Sequence, residues 1–589
     1  MRKLHSALIL FVALLSPAGG SARAADPLAL LPAETAVVIR VGSVDKLAGN
    51  LKEALSSLGP VANPAVAGVD RAFNEMLAIN ADPAAIDRTQ PAYVAAVVLG
   101  GPDAAVRIVK TADENKLRRA VAQAAADETL AAEKAANGFE KISKNGKDWY
   151  FARRDDWVMY TRREDVVKLL VANAAAEASL APVFAGQAAE LADEGDAAVL
   201  VNVARLIEVF GDKLDEQRDK LRRQIDNLPK EILGDNSAID PRATKKIYAD
   251  LAELAINAVY DAQWFAGRVN FSNAGVSVAG LIGIKGETAT NDLLQDNPPV
   301  AFETLGLLPG GLPLCYAYSA YPAALADWRR DWLRLAYGAD TDITKKLLAA
   351  YEAYLAAAPG ATVGGLALPS GVDASMVTTL LTQAEDAEKL RGSLAVSEPL
   401  SNRQDSTLYS ASVELTPDAE TYQGRAVDLM TTSFKFKDVA DPGQAIGQKL
   451  LEKLFGGDFL QTRMTTLEGL LVQAGGNDAK YLRQTVDAMQ SGEKVLALDE
   501  AFAITRDQLP EKANVLAFLN LPRLLIDVIS LLKAIPPLDA GLAQAPINLG
   551  VQPAASYAGI SLATGPQTLR LDAYVPLTQA QGILRIFGQ

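Results

Sequence analysis

Val199-Leu200-Val201-Asn202-Val203-Ala204-Arg205-Leu206-Ile207 and Ala517-Phe518-Leu519-Asn520-Leu521-Pro522-Arg523-Leu524-Leu525 carry one pattern twice. In each, an apolar run ends at Asn and an Arg follows three residues later. The run reads as a buried strand. The Asn reads as a helix N-cap, whose side-chain oxygen accepts from the N–H three residues on. Pro522 falls in the first helical turn, where a missing N–H costs nothing.

Further pieces match on either side, in the same order. Leu30-Leu31-Pro32 precedes a strand (Ala36–Val41) and a helix from Val44. Leu307-Leu308-Pro309 precedes a strand (Leu314–Ser319) and a helix around Ala323–Tyr337. Downstream, Phe265-Ala266-Gly267 and Tyr557-Ala558-Gly559 open closing strands. A second strand follows each (Val276–Ile284; Leu569–Val575), then a short helix from Thr288 or Thr578. Conserved order over 589 residues points to an internal duplication.

Within the first copy, strands joined by tight turns alternate with helices. Tyr93–Leu99 and Ala104–Lys110 flank Gly100-Gly101-Pro102-Asp103. Asp113 caps a helix expected to run towards Lys134. Phe139–Ser143, Trp149–Arg153 and Trp157–Thr161 form a meander, with Asn145-Gly146 at its first turn. Strands joined this tightly must be antiparallel. The fold class expected is α+β, internally duplicated, with antiparallel sheets each covered by helices on one face. The domains expected are a leader over 1–24, a first repeat over 25–300 and a second over 301–589.

One stretch has no counterpart in the second half. Asp212–Leu233 is highly charged and aligns Leu214, Leu221, Ile225 and Leu228 on one stripe. Ala243–Tyr260 aligns Ile247, Leu251, Leu254 and Ala258. The expectation is a helical-hairpin insertion over 208–262, either a partner-binding arm or a pair of helices folded back on its own domain. A second interaction candidate is Trp328-Arg329-Arg330-Asp331-Trp332. Trp328 and Trp332 share one helical face with Arg beside them, so they either form an interfacial patch or pack on the sheet while Arg reaches outward.

The first residues read as an export signal. Arg2 and Lys3 precede the apolar run Ala7–Leu15, which is too short to span a bilayer, and Ala22-Arg23-Ala24 fits small-x-small cleavage after Ala24. The location expected is periplasmic or secreted. Three of the 57 basic residues lie in that leader and none of the 71 acids does, so the mature chain is more acidic than the formal −14 of the whole. Nucleic-acid binding needs phosphate neutralisation and is not expected. No later segment reads as a transmembrane span, because Pro522, Arg523, Asp527 and Lys533 interrupt the best candidate.

The chemistry is limited by what is missing. His5 is the only histidine and lies in the leader, and Cys315 is the only cysteine. The mature chain therefore lacks the commonest general base and the usual transition-metal ligand. Cys315, in an apolar strand-like run, reads as a buried inert thiol. Ser43-Val44-Asp45-Lys46 matches a Ser-x-x-Lys acylation motif, but its companion motifs are missing and Ser43 also reads as an N-cap. Asp340-Thr341-Asp342 lacks the remaining parts of a calcium loop and reads as a cap. No catalytic, cofactor-binding or metal-binding residue is assigned. The expected class is a non-catalytic binding or structural protein. The alternatives are a carrier of lipid or another apolar ligand, and a carboxylate- or Ser-Lys-dependent hydrolase.

The mature start, Pro27 followed by Leu30-Leu31-Pro32-Ala33-Glu34-Thr35, a Val/Ile strand and an Asp-Lys-Leu helix, resembles a group of uncharacterised, duplicated bacterial envelope proteins opening on Leu-Pro-Ala-x-Thr. The resemblance spans about the first fifty residues and the general layout. It implies an envelope location and a duplicated α+β chain, and it brings no catalytic residues.

Overall fold

The computed structural model describes residues 27–97, 104–125, 127–134, 138–172, 179–228, 239–319, 325–369, 375–401, 404–406, 408–438, 441–493, 495–535, 538, 547–550 and 554–588. The leader with its cleavage point, His5 and the turn at Gly100–Asp103 lie outside them. The described residues form two compact units. The first holds those up to Asp215 with Ala258–Asn291 and Gln567–Leu577. The second holds Glu216–Asn257, Asp292–Pro566 and the rest of the C-terminal segment. Residues 208–262, read above as a helical-hairpin insertion in the first repeat, thus divide between the units.

The first unit contains β1 (Thr35–Val41), β2 (Ala92–Val97), β3 (Ala105–Lys110), β4 (Ala132–Lys134), β5 (Glu140–Lys144), β6 (Lys147–Arg154), β7 (Trp157–Thr161), β8 (Ala197–Val201), β9 (Ala262–Phe271) and β10 (Gly275–Ile284). They pair antiparallel in the order β4-β5-β6-β7-β3-β2-β1-β8-β9-β10. Val38 sits opposite Ala95 on one side and Leu200 on the other. The β5–β6 turn is Asn145 (φ 55°) and Gly146 (φ 71°), the left-handed pair that a two-residue hairpin requires.

The sheet of this unit is covered on both faces, which corrects the one-face expectation. Trp149, Phe151, Val158 and Tyr160 pack with Leu47 and Leu51 of α1 (Val44–Ser56) and with Leu117. The alternate residues Tyr150, Ala152, Trp157 and Met159 pack with Val166, Leu170 and Leu191. Every residue of β7 is buried, as a strand with an apolar layer on each side demands. A second correction concerns the helix expected from Asp113 towards Lys134. Asp113 caps α2 (Glu114–Ala122) as read, its carboxylate accepting from Lys116 N at 3.0 Å. The helix then stops at Gln123 (φ 56°), and Ala132–Lys134 joins the sheet beside β5. Alanine's helical preference loses there to cross-strand hydrogen bonds.

Helix α3 (Val203–Asp226) follows β8 directly, with Asn202 Oδ1 accepting from Arg205 N at 3.1 Å. It is one unbroken helix. It runs through the isolated Gly211, which costs a helix only about 1 kcal/mol, into the charged stretch from Asp212. Helix α4 (Pro241–Asp261) comes next, and in the second unit Arg222 of α3 is ion-paired with Glu253 of α4.

The second unit contains β11 (Leu314–Tyr318), β12 (Pro359–Ala367), β13 (Val377–Ala384), β14 (Tyr409–Tyr422), β15 (Arg425–Phe436), β16 (Phe459–Leu467), β17 (Leu470–Gly475), β18 (Val515–Leu519) and β19 (Ala558–Gly565), besides two-residue strands. They pair antiparallel in the order β14-β15-β16-β17-β13-β12-β11-β18-β19. The last strand, β20 (Thr568–Pro576), belongs to the first unit, where it pairs with β10. The helix after β18 opens as the sequence predicts, with Asn520 Oδ1 accepting from Arg523 N at 3.1 Å.

Cys315 is buried on β11 with no partner cysteine. Burial pushes its thiol up to about 12, against an ordinary value near ~8.5. Because the folded value is the higher one, the neutral thiol's contribution is complete below about pH 8.5 and fades as pH climbs towards 12. At pH 8 a thiol reagent is expected to label Cys315 only after denaturant is added. Rapid labelling of the folded chain would contradict this burial.

Candidate functional site

The second unit holds an aromatic-lined cavity of ≈ 600 Å³ between α5 (Ala326–Tyr337), α6 (Asp342–Ala356) and α7 (Ala387–Ser401). The sequence builds it locally. On α5, Trp328 and Trp332 stand four residues apart, hence on one side, with Leu333 and Ala336 buried beside them. The charged residues of α5 pair along its outer face, Arg330 with Asp327 at 2.7 Å and Arg334 with Asp331 at 2.9 Å. Arg330 also reaches Glu352 on α6 at 2.7 Å, tying the two helices together. Gly338 (φ 85°) ends α5, and Thr341 caps α6 by accepting from Thr344 N at 3.1 Å. The Asp340-Thr341-Asp342 stretch is thus a capping turn. Among the described residues, no group of three His, Cys, Asp or Glu could hold a metal ion.

The walls are aromatic. Tyr351 and Tyr354 stack at 6.1 Å, and Trp332 meets Tyr337 edge-on at 6.3 Å. Burial raises the hydroxyls of Tyr337, Tyr351 and Tyr354 above their usual range, so they remain neutral at any physiological pH. Ser393 and Ser401 also line the cavity, and both hydroxyls donate to carbonyls of their own helix, Leu390 O and Ser397 O, each at 2.8 Å. Both hydroxyls are thus engaged in local bonds.

Glu398 lines the cavity as well, and two further polar features are notable. Trp332 is 9% exposed, and its indole Nε1 has no hydrogen-bond partner among the described residues. A buried indole N–H usually finds one. The Arg329 guanidinium lies over the Trp332 ring at 4.7 Å and forms no ion pair among the described residues. The site therefore combines a mainly apolar interior with a buried indole N–H that lacks a partner, the Arg329 guanidinium and the Glu398 carboxylate.

The five residues singled out in the sequence fare differently. Trp328 and Trp332 both line this cavity, and Trp328 Nε1 donates to Asp250 of α4 at 2.6 Å. Ile225 is buried, Leu214 half-buried, and Leu221 38% exposed. Ala243 of α4 is fully buried against Trp332, Leu333 and Leu347. The two elements read as independent interaction candidates therefore pack together inside one unit. The tyrosines escaped the sequence reading, although Tyr351-x-x-Tyr354 has the spacing that puts two rings on one helical side.

The Ser-x-x-Lys motif does not form a dyad. Ser43 Oγ donates to Arg88 O at 3.1 Å and accepts from Lys46 N at 3.2 Å, while Lys46 Nζ is held by the buried Asp196 at 2.9 Å. Ser43→Ala is expected to cost about 1 kcal/mol through the lost cap, which urea unfolding of the variant measures.

No family model matches the sequence, and no curated protein is similar to it. A solved structure described as crystal form III of TP0453 aligns over 46% of this chain and 86% of its own, at 9% identity and a TM-score of 0.22. Likeness at that level carries no argument. Among the described residues, no helix is long and apolar enough to cross a membrane.

Proposed function

We propose that this chain is an exported, non-catalytic binding protein of the bacterial envelope, and that its second unit carries a lipid or similar apolar ligand in the cavity between α5, α6 and α7. The observation that carries the reading is the unpaired, buried Trp332 N–H in a cavity of ≈ 600 Å³ walled by tyrosines. That volume lies within the range of small-molecule pockets, about 300–1,000 Å³. A ligand with an apolar body and one acceptor at its end would complete the indole's hydrogen bond and meet Arg329. Native mass spectrometry of protein purified from a periplasmic fraction tests this. The expected result is an organic adduct, with N-terminal peptides beginning at Ala25. A bare mass, together with no saturable uptake of a fluorescent fatty acid, would overturn the carrier reading.

A duplication underlies the reading of the architecture. Its support is that strand n of the first set and strand n + 10 of the second occupy the same place in the order of pairing, from β4 and β14 through β9 and β19. Helices α3 and α4 are read as the asymmetric pair added to the first copy.

A scaffolding role is the second reading. It is favoured by Tyr248, Leu251 and Leu254 on α4, which are 42%, 55% and 44% exposed. Single exposed apolar residues are ordinary, whereas a contiguous patch marks a contact surface. Leu251→Ser with Leu254→Ser should abolish capture of a partner and spare ligand uptake. Unchanged capture would dispose of this reading.

A further inference from the structure

Arg329 stands apart from the other arginines of α5. Arg330 and Arg334 each pair with an aspartate three residues earlier, Asp327 and Asp331. The positions one helical turn from Arg329 hold Leu325, Ala326, Trp332 and Leu333, so no acid lies a turn away from it. Arg329 is exposed, and its guanidinium lies at 4.7 Å over the ring of the buried Trp332. The cavity between α5, α6 and α7 thus has Leu333, Leu347 and Ala350 in its buried lining and a cation at its exposed rim.

Among the described residues that line this cavity, Arg329 is the only base and Glu398 the only acid. Their effects on the walls differ. Burial, the larger effect, raises the hydroxyls of Tyr337, Tyr351 and Tyr354, and the Arg329 charge works against it at all three. Glu398 exerts no comparable effect on them and has an interaction partner of its own. The charge felt in common by the three tyrosines is therefore positive, in a chain whose formal net charge is −14.

We infer that the ligand of this cavity is an anionic amphiphile, with its chain among the aromatic and aliphatic side chains and its carboxylate or phosphate head on Arg329. The inference rests on the carrier reading of the same cavity and names the class of ligand carried. A guanidinium stacked on an indole keeps its N–H edge available, and that planar fork suits the oxygens of either head. The head would also lie beside Trp332, whose N–H lacks a partner. A cationic head would meet like charge at the rim.

Calorimetric titration of the full mature chain with four ligands of one chain length tests the inference: decanoate, decyl phosphate, decanol and decyltrimethylammonium. The expected result is that one or both anions bind about fivefold tighter than decanol, the upper end for an ion pair at an exposed position, and that added salt erodes the difference. Preference for decanoate identifies a carboxylate head, and preference for decyl phosphate a phosphate head. Arg329→Gln should bring anion and alcohol to equal affinity, Arg329→Lys should keep the anion ahead, and Arg329→Glu should place decyltrimethylammonium first. Circular dichroism checks that these variants of an exposed side chain remain folded. Equal binding of all four ligands by the parent, a preference for the cation, or an anion preference that survives Arg329→Gln overturns the inference and leaves the carrier reading standing. Binding of none of the four overturns both.

Discussion

Trp332→Ala is expected to abolish ligand uptake and to unfold the second unit's helical layer more easily by about 3–5 kcal/mol, the usual range for removing a large buried aromatic. Trp332 packs against Ala243, Leu333, Ala336 and Leu347, so its loss opens space among small and aliphatic side chains that cannot close over it. The stacked guanidinium of Arg329 loses its platform as well, worth about 0.5–1 kcal/mol at an exposed site. Trp332→Phe separates stability from binding. It keeps one aromatic ring while removing the indole's five-membered ring together with its unpaired N–H donor. In the carrier reading, this variant keeps most of its stability and loses about tenfold in affinity for an acceptor-bearing ligand, roughly the 1.4 kcal/mol of one hydrogen bond. Hydrogen exchange within α5 and titration with a fluorescent fatty acid provide the two readouts. Full affinity in Trp332→Phe would show that the indole N–H does not meet the ligand.

Tyr160→Ala is expected to be the most damaging single change in the first unit, at about 3–5 kcal/mol. Its ring is fully buried, stacks on Phe151 at 5.8 Å and touches Trp149 at 6.2 Å. Its hydroxyl donates to Leu77 O at 2.6 Å across 83 residues, fastening the end of the Asn63–Met76 helix to the sheet. Burial raises this hydroxyl well above the usual tyrosine range, so it stays a neutral donor. Tyr160→Phe keeps the ring and leaves the Leu77 carbonyl unsatisfied, a loss of about 1–3 kcal/mol. Denaturant titration with Trp149 fluorescence as the local probe should rank the parent above Tyr160→Phe and Tyr160→Phe above Tyr160→Ala. Equal stability of the two variants would mean that the ring contributes nothing beyond its hydroxyl.

Much of the local structure was legible because neighbouring residues decide it. Asn202 and Asn520 cap their helices at the distances the motif requires. Asn145-Gly146 turns between β5 and β6 because only residues tolerant of positive φ can do so cheaply. Ser43 caps, and Cys315 is buried. Less legible were features that depend on distant partners. The Ala-rich stretch after Asp113 leaves the helix at Gln123 because a strand edge at β5 offers its later residues hydrogen bonds. That Arg107 and Arg162 both reach the Trp149 ring has no sequence signal, since these distant positions are brought together only by the sheet, where Arg107 stands opposite Tyr160 of β7.

The amino-acid order alone settled most element types, the capping residues, the tight turns and the presence of a single histidine and a single cysteine, because these follow from backbone preferences and composition acting within a few residues. Which faces are covered, where Trp328 and Trp332 point, and which charges gather at one cavity were decided by the tertiary structure. Apolar side chains bury against whatever surface the chain brings to them, and that attraction is non-directional and indifferent to distance along the sequence. A tryptophan pair on one helical side is therefore readable from spacing, whereas the helix that covers it is readable only in the folded molecule.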